Sequence, residues 1–166
     1  MSDNPRLQGF LDFSAEVSAF TVFDLSGTGM AEAYLQTTDD IVGPALLDDI
    51  IDAYAKVLLV TGGSSTRERK ALISRDIMGD SRLGPVARNI IKLWYVGTWY
   101  KLPAAWGERF GPAPKDRTFV VSPGSYIEGL MWKAIGAHPA GAKGPGYGSW
   151  ASPPRIPAFE GDPAPN

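Results

Sequence analysis

The chain has 166 residues, of which 44% are hydrophobic and 20% charged. That composition suits one globular domain with length enough for a real core, and it excludes a disordered chain. A formal net charge of −2 gives no global reason to expect nucleic acid or anionic lipid as a partner.

Cysteine is absent, which excludes thiol nucleophiles, disulfides and thiolate metal sites. No apolar run approaches the ~18 residues that span a bilayer, so direct membrane insertion is not expected. Charge is unevenly placed. Residues 1–60 carry ten Asp/Glu and two Lys/Arg, whereas residues 61–101 carry three and eight. Either the two segments pack together and neutralise each other, or they form separate patches that orient a partner.

In chain order, Asn4-Pro5 pairs an N-cap residue with proline at the first helical position. Phe10, Phe13, Val17 and Phe20 follow at helical spacing. Ser26 to Gly29 breaks the chain, and a short helix is expected from about Met30 to Asp39. Gly43-Pro44 opens the clearest helix. Leu46, Leu47, Ile50, Ile51, Tyr54, Val57 and Leu58 lie on one face, with Asp48, Asp49, Asp52 and Lys56 opposite. Thr61-Gly62-Gly63 ends it.

A charged helix is expected over 66–78, and another starts at Gly84-Pro85. Residues 101–121 read mainly as loop. Ser122-Pro123 is again a cap and proline, and Tyr126, Ile127, Leu130, Met131 and Ala134 form the apolar side of a last helix ended by Gly136. From Gly136 to Asn166 there are thirteen Gly or Pro in 31 residues, too many for any regular element. The expected fold is all-α: a small bundle of about five helices over 1–137, then an extended Gly/Pro-rich arm over 138–166.

Motifs that carry chemistry are weak. KVLLVTGGSST (56–66) looks like a dinucleotide-binding strand and turn, but its apolar residues continue the helical period that starts at Leu46, and no later motif glycine follows. It reads better as a helix end. Gly144, Gly146 and Gly148 alternate around Pro145 with no helix after them. His138, the only histidine, sits beside Pro139 just past a helix end, where a cationic side chain suits the terminal carbonyls. Asp48 and Asp52 share a polar face and read as solvated surface. No catalytic, cofactor-binding or metal-binding residue is expected in this chain.

The aromatic stretch IIKLWYVGTWY (90–100) is different. With Trp94 at zero on a wheel of ~100° per residue, Tyr95 falls near about 100°, Trp99 near about 140° and Tyr100 near about 240°. One neighbouring helix buries only a stripe of roughly 100°. The helix is therefore either central to the bundle or shared between its own core and a partner, and Tyr and Trp suit both uses. Trp94 is expected in the core, with Trp99 and Tyr100 at the far end near a partner.

The order FLDFSAEVSAF, a long amphipathic helix, LGPVARNIIKLWYVGTWY, then VVSPGSYIEGLMWKAIGAHPAGAKGPGYGSW resembles the small, or gamma, subunit of bacterial FAD-dependent sugar and alcohol dehydrogenases, the family of sorbitol, fructose and glucose dehydrogenase small subunits. The similarity runs from about Phe10 to Trp150. Its most specific parts are Leu93-Trp94-Tyr95 with Gly97, and PGYGSW. The resemblance implies a non-catalytic subunit that binds and stabilises a large partner of the glucose–methanol–choline oxidoreductase type. FAD would sit in that partner, and a cytochrome c subunit could take the electrons.

Two departures from the family pattern stand out. The twin-arginine leader of such subunits is not seen, and the cysteine that some relatives carry near position 138 is missing, so binding would be non-covalent. The opening MSDNPRLQGF has no basic stretch followed by an apolar one, which by itself points to the cytoplasm; the resemblance points instead to a periplasm-facing inner-membrane complex. Expected interface residues are Trp94, Tyr95, Trp99 and Tyr100 on the aromatic helix, and His138, Pro139, Tyr147 and Trp150 on the arm. The alternative is a stand-alone helical domain that binds a small apolar ligand.

Overall fold

The computed structural model describes residues 4–62 and 66–143. Its first helix begins where Asn4 and Pro5 place it. α1 covers Pro5–Ser18, and the Asn4 side chain accepts the Arg6 and Leu7 amides. Phe10 and Phe13 are fully buried. The apolar stripe outlives the helix: Ala19 turns left-handed and Phe20 still reaches the core.

Thr21 then caps a helix that sequence reasoning missed, α2 (Val22–Gly27), through a reciprocal capping box with Asp24. α3 (Ala31–Val42) and α4 (Pro44–Val60) meet at Gly43. α4 buries Leu46, Leu47, Ile50, Tyr54 and Val57, as their spacing predicts. It stays helical through Val60, so KVLLV forms no strand before its glycines. α5 (Thr66–Ile73) passes into a π-helical turn over Ser74–Met78, together filling the expected 66–78 element.

α6 (Leu83–Val96) is the central helix. It touches α1, α3 and α4, and its buried residues include Val86, Ile90, Leu93 and Trp94. Of the two sequence readings of the aromatic stretch, its helical part follows the first. The stretch expected as loop contains a further helix and half of a ribbon. α7 (Ala104–Phe110) is pinned by Trp106, whose indole N–H donates to the Arg82 carbonyl at 2.9 Å. β1 (Thr98–Trp99) pairs antiparallel with β2 (Phe119–Val120), Trp99 opposite Phe119.

The expected single last helix is two, α8 (Pro123–Ile127) and α9 (Leu130–Ala134). The break falls at Gly129 for a packing reason. A Cβ there would lie 2.8 Å from the Tyr95 carbonyl oxygen, so the backbone itself packs on the end of α6. The class is all-α as expected, with the bundle enlarged by short helices. Among the described residues no helix is long and apolar enough to cross a membrane.

Ion pairs answer the charge asymmetry. Arg69 meets Glu16 at 3.1 Å and Arg82 meets Asp49 at 2.7 Å, each joining the basic segment to the acidic one. Asp48, on the supposed carboxylate face, instead takes Arg6 at 2.6 Å. The same guanidinium forks onto Asp39 at 2.6 and 2.7 Å and donates to the Pro44 carbonyl at 3.2 Å, tying the start of α1 to the α3–α4 corner.

Gly97 fixes how the last third of the chain docks. It has φ 63, and a Cβ there would lie 2.4 Å from the Ser125 carbonyl oxygen. We expect Gly97→Ala to destabilise the protein by about 2 kcal/mol or more, from left-handed strain plus a clash with backbone. Gly27→Ala, where an added Cβ meets nothing within 4 Å, is the control and should stay within ~0.5 kcal/mol of the parent. Urea unfolding of both variants reads the difference.

Candidate functional site

α6 ends at Gly97, and this overturns the wheel argument for the residues beyond it. A left-handed C-cap stops the 100° progression, so Trp99 and Tyr100 do not continue the helical face. Trp94 is 1% exposed, with Tyr34 edge-on at 4.9 Å and Phe10 at 6.0 Å between ring centroids. Tyr95 is half-buried, its hydroxyl donates to the Ser18 carbonyl at 2.7 Å, and its ring meets Phe20.

Trp99 was expected near a partner and is instead 0% exposed. Strand alternation turns it inward, and its indole N–H donates to Asp116 at 2.8 Å. Asp116 also accepts the Leu102 amide, at 3.2 and 3.0 Å. Trp99 therefore belongs to the core and offers no surface to a partner. Tyr100 does emerge, at 40% exposure, with the Lys92 ammonium 4.9 Å above its ring. The buried Asn89 side chain holds the Tyr100 backbone from behind, donating to its carbonyl at 2.7 Å and accepting its amide at 3.3 Å.

His138 is exposed and Pro139 buried where the chain leaves α9. The Ala137 amide returns to the Trp132 carbonyl at 2.8 Å, and the His138 Nδ1 lies 3.2 Å from the Pro139 carbonyl. His138 and Pro139 border a cleft of about 380 Å³, walled on the far side by Asp24, Gly27 and Thr28. Lys133 pairs with Asp24 and Lys143 with Glu128 at its edges. Tyr147 and Trp150 lie outside the described residues.

A second groove, about 730 Å³ and open, runs between α1, α2, α4 and α5. Its polar floor is Glu16, which takes the Arg69 guanidinium at 3.1 Å and the Tyr54 hydroxyl at 3.4 Å. Burial, and next the Glu16 carboxylate, push the Tyr54 hydroxyl up to about 12. Val22 and Leu58 border the groove, and their sequence neighbours Phe23 and Leu59 are 86% and 83% exposed, with Val60 at 72%. These exposed apolar side chains were not among the residues expected at an interface. The available signal was that Leu59 and Val60 extend the apolar run of α4 beyond a single stripe.

Among the described residues no group of three or more His, Asp or Glu side chains is placed to hold a metal ion. Comparison with known protein families, curated proteins and solved structures finds no match.

The Asp24 carboxylate gives the arm-root cleft a pH signature. The Lys133 ammonium, and next the Thr21 hydroxyl, hold it below its ordinary value of 3.8. A group depressed in the folded state stabilises fully above its unfolded value, and that contribution is lost as pH falls through the folded value. The window for Asp24 thus lies below 3.8. Asp24→Asn should melt below the parent at neutral pH, and the gap should close as the solution is taken toward about pH 2. Melting followed by circular dichroism across that range checks the sign.

Proposed function

We propose that this chain is a non-catalytic accessory subunit that binds and stabilises the FAD-containing catalytic subunit of a sugar or alcohol dehydrogenase. The observation that carries the reading is the exposure of Phe23, Leu59 and Val60, with Tyr100 a further exposed aromatic. Large side chains left in water at these levels favour a protein partner over an isolated monomer. The resemblance supplies the partner's identity, a flavoprotein of the glucose–methanol–choline type, with a cytochrome c subunit as a possible third member. FAD belongs to that partner in this reading.

The structure changes which residues would make the contact. Trp94 and Trp99 act by holding the fold, because neither offers surface. Tyr100 and the exposed side of the arm root at His138 remain candidates, and the exposed side chains of Phe23, Leu59 and Val60 join them. The arm residues Tyr147 and Trp150 keep their place as candidate anchors by sequence alone.

Co-expression with an FAD-dependent sugar dehydrogenase large subunit, then affinity capture, tests the reading. The pair should co-elute. Phe23→Ser with Leu59→Ser should weaken the complex about tenfold or more, equivalent to ~1.4 kcal/mol, while each variant's melting temperature stays within about 2 °C of the parent. Removing residues 144–166 measures the arm's share separately. A parent chain that never co-elutes sinks the accessory-subunit reading; co-elution indifferent to the double substitution sinks only this surface.

A further inference from the structure

Internal ion pairs answer the charge asymmetry of the chain only in part. Of the basic residues in 61–101, Arg69 and Arg82 reach carboxylates of the acidic segment, and Arg75 pairs with its neighbour Asp76. Arg88, Lys92 and Lys101 do not. All three are exposed, and among the described residues no carboxylate forms an ion pair with any of them.

Two of these cations flank one exposed aromatic. Arg88 and Lys92 stand four apart on α6, so their side chains share a helix face. The Lys92 ammonium lies 4.9 Å above the Tyr100 ring, and Lys101 follows Tyr100 in the chain. The Arg88 guanidinium donates to the Met78 carbonyl at 2.8 Å, a neutral partner that leaves its charge uncompensated. Carboxylates on the adjoining segments are engaged elsewhere. Asp80 accepts the Arg82 and Leu83 amides, both at 2.7 Å, and Asp116 accepts from Trp99 and Leu102. Asn89, on α6 between the two cations, grips the Tyr100 backbone from behind.

Like charges one turn apart on a helix repel. Here such a pair stands beside a half-covered tyrosine, in a chain whose net charge is negative. Arginine and tyrosine are enriched where interfaces bury most, and complementary potentials speed the encounter of two partners. Carboxylates from outside the chain would remove the Arg88–Lys92 repulsion and gain charge-assisted hydrogen bonds there. We infer that the face formed by Arg88, Lys92 and Tyr100, with Lys101 at its edge, is a docking surface for an acidic patch of a partner protein. For the partner's identity, the flavin subunit, this rests on the accessory-subunit reading; what it adds is the sign of that subunit's matching surface.

Association of the full chain with an FAD-dependent sugar dehydrogenase large subunit, followed by surface plasmon resonance, tests this. Arg88→Glu with Lys92→Glu should slow association about tenfold or more at ~50 mM salt, and the gap from the parent should narrow at ~300 mM as screening shortens the range of the field. Lys92→Glu alone, which spares the Arg88–Met78 bond, should go the same way to a smaller extent. Arg67→Glu with Arg75→Glu makes the same change in net charge at other exposed positions, and should alter the rate less than about threefold. An association rate that the Arg88 and Lys92 reversals leave unchanged, or that both double variants slow equally, overturns this surface while the accessory-subunit reading stands. A parent chain that binds no large subunit at either salt removes that reading and this surface with it. Capture of the parent on phosphatidylserine vesicles, abolished by the Arg88 and Lys92 reversals, would reassign the face to a membrane and overturn the protein partner.

Discussion

Gly97 is the point from which the second half of the molecule hangs. Its left-handed conformation ends α6 just after the aromatic residues and sends the chain straight into β1. Its carbonyl then accepts both the Val121 amide at 2.9 Å and the Ser125 hydroxyl at 3.0 Å. One glycine thereby fixes the ribbon and the start of α8 together. Gly129 repeats the device two residues before Met131, packing its backbone on the Tyr95 carbonyl. The arm root follows directly, and side chains seat it further: Leu130 is buried and Lys133 pairs with Asp24. Either approach fails with any side chain larger than hydrogen.

The polar framework around this core is local in some places and long-range in others. Asn4, Thr21 and Ser122 cap their own helices, which fixes where each begins. Arg6 does more. Its forked contact with Asp39 and its bond to Asp48 cross from the first helix to the third and fourth, at a partly buried corner where screening is weaker. The exposed pair Arg75–Asp76 is an intrahelical neighbour contact and contributes little to the fold. The acidic first third of the chain is thus tied within itself by Arg6 and to the basic segment after it by the Arg69–Glu16 and Arg82–Asp49 pairs.

The helices with strong periodicity were legible from sequence because burial imposes that periodicity. α1, α3, α4 and α6 carry apolar stripes bounded by capping residues, prolines or glycines, and they form nearly where those signals place them. α2 and α7 were not legible. A helix of six or seven residues has too few turns to show a period, and each is held by local contacts: the Thr21–Asp24 box and buried Leu25 for α2, the Trp106 anchor for α7. The ribbon was equally hidden, since two-residue strands carry no alternation. The aromatic stretch shows the sharper lesson. Trp94 was placed correctly in the core because it precedes the glycine, whereas Trp99 was misplaced because the wheel was carried through Gly97. Glycine followed by Thr-Trp-Tyr, three residues of high β-propensity, was the signal that the period changes there.

Moving Trp99 inward alters the logic of any interface. A fully buried aromatic that donates to the half-buried Asp116 carboxylate, and shares it with the Leu102 amide, holds a loop and offers no surface to a second protein. Surface capacity then shifts to residues whose backbone is rigid and whose side chains are not used internally. Tyr100 meets that condition through Asn89, which grips its amide and carbonyl as a strand neighbour would. Phe23 meets it through the capping box that rigidifies α2, and Leu59 through its position in the last turn of α4 before the Thr61 cap. Preorganised apolar side chains lose little entropy when a partner covers them, so such residues yield more association free energy per unit area than a long flexible loop would. If the proposed accessory-subunit reading holds, that is the physical reason to look for its interface at the capped helix ends of α2 and α4.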